Sequence, residues 1–414
     1  MNIDIETKDY WFALKSSVYV EFKENKILLY DTKSGNRIET KWEDAIALVS
    51  QLYEPKNLGV TLLSKEMLLK TDTSGFVREV LEKRMGDIVD VAKVPNKPVR
   101  LIPILSFQKD VERLKKNKEN HSLIGNDAKN YLIELNIYLN NSCSLNCLHC
   151  DKYYKQIHCC TTKNENQELA FEELESIFRQ ISFSSVSRVN LLGGNIFEYS
   201  YLAQSYKLFD SYKDILHCRF HYENYKPGIL PNSLKLDMIV NFPVKETIFK
   251  NTWKLVDDRE TVVHFIIENE EQYEQMSVLI DEYDIEKYQI HPVYTGENLE
   301  FFEENVFVDQ EDIFSKTRSI REIFRNQKLN ANFFGSLSIL PDGGVKANVN
   351  APTLGNIKTD SLMSLIFKEM MDNTAWRVVR DSQPCSECIY QFICSAPSNY
   401  EIAIGKPNLC HIHS

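Results

Sequence analysis

The chain has 414 residues and a net charge of −11, from 48 basic and 59 acidic side chains. Apolar residues make up 43% and charged residues 26%, the balance of a soluble globular chain of about two to four domains. An acidic chain of this kind excludes sequence-independent nucleic-acid binding, which needs a basic face, and no apolar run approaches the ~18 residues of a membrane span. The opening residues, MNIDIETKDYWFALK, lack the basic-then-apolar plan of a signal peptide, so a cytoplasmic location is expected. Ten cysteines in a reducing compartment point to metal ligands or catalytic groups rather than disulfides.

Residues 17–30 read as two alternating strands around a polar turn at 23–26, and residues 37–41 as a third that can pair with them. Residues 43–52 carry helical spacing through Ala45, Ala47, Leu48 and Leu52, residues 60–63 read as a strand, and residues 73–83 as an amphipathic helix with Ser74 as its cap. Strands followed by helices predict a small α+β module, winged-helix-like, over residues 1–110. The charged stretch 111–126 reads as a linker.

From 127 to 330 strand and helix alternate. The predicted strands are 132–139, 186–192, 218–222, 236–242, 262–267 and 288–293. Helical patterns at 171–181, 246–255 and 271–283 lie between them. Repeated units of about 30 residues imply a parallel sheet with helices outside it. Six units are too few for an eight-stranded barrel, so a partial (β/α)6 barrel is predicted, with its chemistry beyond the C-terminal strand ends. The last segment, 331–414, opens with a hairpin turning at Pro-Asp-Gly-Gly (341–344), continues through a helix at 360–371, and ends in a Cys-rich tail.

Directly after the first predicted barrel strand stands NNSCSLNCLHC, with Cys143, Cys147 and Cys150 spaced Cys-x3-Cys-x2-Cys. Three thiolates on one short loop can hold three irons of a 4Fe–4S cube and leave the fourth open. A structural zinc site usually has four ligands, often in CxxC pairs, which this loop fits poorly. In the tail, Cys385, Cys388, Cys394 and Cys410 are spaced Cys-x2-Cys-x5-Cys-x15-Cys, a set that closes one site completely. Zinc and iron–sulfur both satisfy that pattern. Cys159, Cys160 and Cys218 read as ordinary buried or partly exposed thiols.

The loop resembles that of the radical S-adenosylmethionine superfamily, with His149 where the family usually has an aromatic residue. The resemblance implies a cluster at Cys143, Cys147 and Cys150 whose open iron chelates S-adenosylmethionine, and a 5′-deoxyadenosyl radical made by one-electron cleavage. The next strand ends in LLGGNIF, where the family has Gly-Gly-Glu-Pro binding the amine of S-adenosylmethionine. Gly193 and Gly194 match, while Asn195 replaces the acid. Asn241 is either a ribose contact or a buried or solvated amide.

The tail resembles the SPASM, or twitch-like, extension of peptide-modifying radical enzymes, with the ligands of one auxiliary 4Fe–4S cluster at Cys385, Cys388, Cys394 and Cys410. The proximal-cluster cysteines are missing: Ala347, Asn348 and Ser398 stand near their places. The Asn195 variant and the tail together resemble the pseudo-radical-SAM/SPASM members of Gly-Gly-leader peptide systems. That implies a ribosomally synthesised precursor peptide as substrate, an electron donor, a second radical maturase as partner, and an N-terminal module that binds the leader or is purely structural. Three functions remain open: a radical peptide-modifying enzyme, a non-catalytic iron–sulfur partner of another maturase, and a zinc-stabilised peptide-binding protein.

Overall fold

The computed structural model describes residues 5–102, 130–145, 147–159 and 166–413. The predicted linker at 111–126 lies outside them.

The N-terminal module is built on two small antiparallel sheets. β2 (Val18–Lys23), β3 (Lys26–Asp31) and β4 (Arg37–Thr40) form one, the third strand pairing with the hairpin as expected. β1 (Tyr10–Leu14), β5 (Thr61–Leu63) and β6 (Gly86–Asp90) form the other, with β1 central. β1 and β6 were not anticipated: their runs are short, and β6 is polar enough to read as a loop. α1 (Glu43–Tyr53) and α3 (Thr71–Glu82) bury Leu48, Leu52, Phe76 and Val80 in a core shared with Val18, Val20, Ile27 and Leu29. The expected cap Ser74 is not one. α3 begins earlier, after Lys70, and the Ser74 hydroxyl bonds back to Thr71 O at 3.1 Å. The serine that caps is Ser64, at the start of the single-turn α2 (Lys65–Leu68), where it accepts from Met67 N–H.

The six predicted barrel strands all form: β7 (Glu134–Tyr138), β8 (Arg188–Leu192), β9 (Leu216–His221), β10 (Lys235–Val240), β11 (Thr261–Ile267) and β12 (Tyr288–Pro292). They are parallel and lie in sequential order. β13 (Ser336–Ile339) adds to the other side of β7 in parallel, and β14 (Gly344–Lys346) and β15 (Gly355–Asn356) follow it antiparallel. The result is a mixed α/β fold around one large sheet.

Alternation divides the sheet's two faces. Leu135, Ile137, Val189, Leu191, Leu236, Met238, Val263 and Phe265 point to one face. There they pack with Leu174 and Phe178 of α5 (Phe171–Ile181), Phe209 of α6 (Tyr206–Ser211), Phe249 of α7 (Glu246–Val256) and Met276 of α8 (Glu270–Glu282). The other face is polar. Asn136 donates to Ser336 at 3.0 Å, Asn190 to Asn136 at 2.8 Å, and Arg188 to Asn190 at 2.8 Å and to Asp237 at 2.7 Å. Arg219 and His217 also hold Asp237, and His264 meets His291 at 2.8 Å. This belt links all seven parallel strands. It pairs most of the polar groups that would otherwise be costly to bury, although Arg219 Nε and His264 Nε2 find no hydrogen-bond partner among the described residues.

The chain then runs through α9 (Leu299–Asn305), α10 (Gln310–Phe314) and α11 (Ile320–Asn326) before β13, and through α12 (Leu362–Asp372) after β15. The Cys-rich tail follows, with its short α13 (Asn399–Ile404) capped by Ser398 in a capping box with Glu401.

Candidate functional site

β7 ends at Tyr138, and the chain passes into the loop that carries the first three cysteines. Cys143 Sγ accepts from Asn224 Nδ2 at 3.8 Å. Cys147 packs beside Tyr153, Ile239, Ile266 and Val293. Cys150 is the first residue of the loop helix α4 (Cys150–Gln156).

Two glycines let this loop sit close to β8. A Cβ on Gly194 would lie 2.2 Å from Ser142 O, and one on Gly193 would lie 2.6 Å from Asn140 Oδ1. With no side chain there, Gly194 N–H donates to Asn140 O at 3.0 Å and Asn195 N–H to Ser142 O at 2.5 Å. Asn140 Nδ2 closes the arrangement by donating to Asn195 O at 2.8 Å. The Asn195 side chain itself is 3% exposed and accepts from Phe197 N–H at 3.1 Å, so it caps the turn after β8.

Asn241 lies just past β10. Its Oδ1 is 2.6 Å from His221 Nε2 at the end of β9. Beyond β11, Glu268 accepts from the Tyr153 hydroxyl and lies 3.8 Å from His149 Nε2. Burial, and then the hydrogen bond and charge of Glu268, raise the Tyr153 phenol above its usual range. The predicted residues Cys143, Cys147, Cys150, Gly193, Gly194, Asn195 and Asn241 therefore gather at the C-terminal ends of the parallel strands, where such sheets place their chemistry. His221, Asn224 and Glu268 were not foreseen. Their only signal was a polar residue at or just after a strand's end.

Beside this site, Tyr138, Asn141, Tyr154, Leu340, Asp342 and Lys346 line a cavity of about 190 Å³. Tyr138 OH lies 3.2 Å from His158 Nδ1. Burial, aided by the Arg219 charge, lowers His158 to about 4, so its ring is neutral near pH 7.

In the tail, Cys385, Cys388, Cys394 and Cys410 line one common cavity with Arg380, Tyr390 and Asn408. Three N–H groups face these sulfurs: Tyr390 N at 3.4 Å from Cys388, Asn408 Nδ2 at 3.3 Å from Cys410, and Arg380 Nη1 at 3.8 Å from Cys385. Burial raises the three thiols Cys385, Cys388 and Cys394. Burial opposes the Arg380 charge too, yet Cys394 and Glu401 together hold its pKa above the ordinary value. Donors aimed at sulfur suit thiolate ligands of a cluster. Among the described residues, no three His, Cys, Asp or Glu side chains converge as they would around a single metal ion. Cys159 and Cys218 are buried and Cys160 lies outside the described residues.

No protein-family model matches the chain, and no curated protein does either. Solved structures do. Streptococcus suis SuiB bound to S-adenosylmethionine is 12% identical, with 96% of this chain and 98% of that one covered, at a TM-score of 0.41. A second SuiB structure gives 13% identity, the same coverage and a TM-score of 0.43. anSMEcpe with bound AdoMet is 12% identical over 67% of this chain and 92% of its own, at 0.43. Likeness of this degree carries no functional weight.

Proposed function

We propose that this chain is a radical S-adenosylmethionine iron–sulfur protein that modifies a ribosomally made peptide. The observation that carries the reading is the three-thiol loop beyond the first of six sequentially ordered parallel strands, pressed against β8 by Gly193 and Gly194. In this reading the six strands form a partial barrel, residues 1–110 a leader-recognition module, and 331–414 a SPASM-like domain.

Cys143, Cys147 and Cys150 would hold a 4Fe–4S cluster, and the four tail thiols an auxiliary one. When bound, the loop cluster supplies the electron that breaks the carbon–sulfur bond of S-adenosylmethionine. The protein's own part is positional. Asn224 turns its amide toward Cys143, the Gly pair fixes the loop by backbone hydrogen bonds, and Tyr153 with Glu268 ties the loop helix to the end of β11. The cavity under Tyr138 offers a peptide side chain a partly apolar slot beside the loop. Four tail cysteines would match all four irons of an auxiliary cluster and leave none open to substrate, which favours electron relay or structure over direct ligation. An electron donor is required, and the proposed setting is cytoplasmic.

One observation favours a second reading, the non-catalytic partner of another maturase. Asn195 has no charge, and its side-chain oxygen is engaged by Phe197 N–H. Anaerobic reconstitution followed by iron counting and a 5′-deoxyadenosine assay separates the readings. Two clusters' worth of iron with nucleoside release supports the enzyme, and iron without release supports the partner. Zinc without iron overturns both.

A further inference from the structure

With Asn195 spent as a cap, the site lacks a carboxylate at the end of β8. Among the described residues, Glu268 supplies one from the other side. Its Oε1 accepts from Tyr153, on the helix that Cys150 begins, and its Oε2 lies 3.8 Å from His149, the residue before Cys150. Its backbone is held on both sides: its N–H donates to Gln272 Oε1 at 2.8 Å, and its C=O accepts from Asn298 Nδ2 at 2.7 Å. Its side chain is 17% exposed. No Lys or Arg among the described residues pairs with it; the one ion-pair neighbour is His149.

A carboxylate offers about four lone-pair positions, and one hydroxyl donor leaves most of them open. Three loop thiolates nearby would add negative charge of their own. This end of the sheet therefore favours a cation, and S-adenosylmethionine carries both an ammonium and a sulfonium. We propose that Glu268 is the carboxylate that recognises the cationic end of S-adenosylmethionine, doing from the end of β11 what an acid at position 195 would do from β8. The assignment rests on the functional reading above.

The test is equilibrium binding to the reconstituted full chain, with S-adenosylmethionine and the uncharged 5′-methylthioadenosine as probes. Glu268→Gln keeps an oxygen acceptor for Tyr153 and replaces the charged carboxylate by a neutral amide. It should weaken S-adenosylmethionine about 5- to 30-fold, the gap between charge-assisted and neutral hydrogen bonds, and leave the neutral probe unchanged. Tyr153→Phe, which removes the tie but keeps the charge, should preserve the preference for the charged ligand. Equal binding of both probes by wild type and Glu268→Gln overturns the assignment alone. Iron-loaded wild type that binds no S-adenosylmethionine overturns the assignment and the functional reading together. If Glu268→Gln fails to hold iron, carbodiimide labelling of wild-type Glu268, read by mass spectrometry, decides. Protection by S-adenosylmethionine but not by the neutral probe supports the assignment, and equal labelling overturns it.

Discussion

Asp237 is fully buried on the polar face of the sheet, and Arg188, Arg219 and His217 hold it within 2.7–3.3 Å. Burial works against its charge, but the neighbouring His217 and His264 and the Arg219 guanidinium reverse that and hold the carboxyl well below its usual range. Asp237→Ala would leave two guanidinium groups on that face without their counter-ion. Breaking a buried pair in this way costs about 3–5 kcal/mol, so the urea midpoint should fall far below that of wild type. The histidines set a pH dependence. Burial lowers His158 to about 4 and, with the charges of His264 and Arg219, lowers His291 to about 3. Both lie below the unfolded value near 6.5, so the unfolded chain binds more protons between these limits and stability falls as pH falls through that window. Asp237 works in the same direction only below its unfolded value of about 4. Urea titrations at pH 7.5 and 5 should show the lower midpoint at pH 5, and His158→Asn should narrow the gap.

Among the elements, the glycine pair after β8 has a sharper role than turn-making. It is the surface against which the cysteine loop rests. Gly194→Ala would put a methyl 2.2 Å from Ser142 O, and backbone cannot yield as a flexible side chain does. The loop should shift, and reconstituted protein should lose about one cluster's worth of iron while the tail keeps its own. Iron counts of Gly194→Ala, alone and with the tail cysteines changed to Ala, measure this. Equal iron in wild type and variant would mean that the loop tolerates the shift.

Across the whole molecule, the N-terminal module is bound to the tail. The face of β2 and β3 that carries Tyr19, Leu28 and Tyr30 packs on Ile389, Tyr390, Ile393 and Cys388. Lys23 donates to Ser386 O and to Gln391, both at 2.7 Å, and Glu39 accepts from Tyr390 OH at 2.6 Å. Tyr390 in turn directs its N–H at Cys388. Removing the module would therefore take away the packing behind Cys388, Tyr390 and Gln391, which line the tail site, as well as any leader-binding surface. Leu28→Asp, an unpaired charge at a position 0% exposed, should destabilise this junction by several kcal/mol, on the order of the cost of burying such a charge. Tail iron should then pass to a chelator faster than in wild type, and loop iron should not.

The alternating run at 17–30, the six strand–helix units and the hairpin turn at 341–344 were legible in the sequence, because hydrophobic period and turn chemistry are local properties. The spacing of the seven cysteines is readable for the same reason, since it lies along the chain and needs no knowledge of the fold; their role as ligands is part of the proposal. Residues that meet only across the sheet were not legible. Glu268 and Tyr153 are 115 positions apart, and Lys23 and Gln391 are 368 apart. Ser74 misled because capping depends on where the preceding turn ends, which α2 and Ser64 decide. The sequence by itself determined the six strand–helix units of the large sheet and the spacing of both thiol sets along the chain, while the placing of β13 beside β7 came only with the fold. Only the tertiary structure decided what faces those thiols, because the polar side chains that surround them come from strand ends and segments that the chain visits far apart and folding brings together.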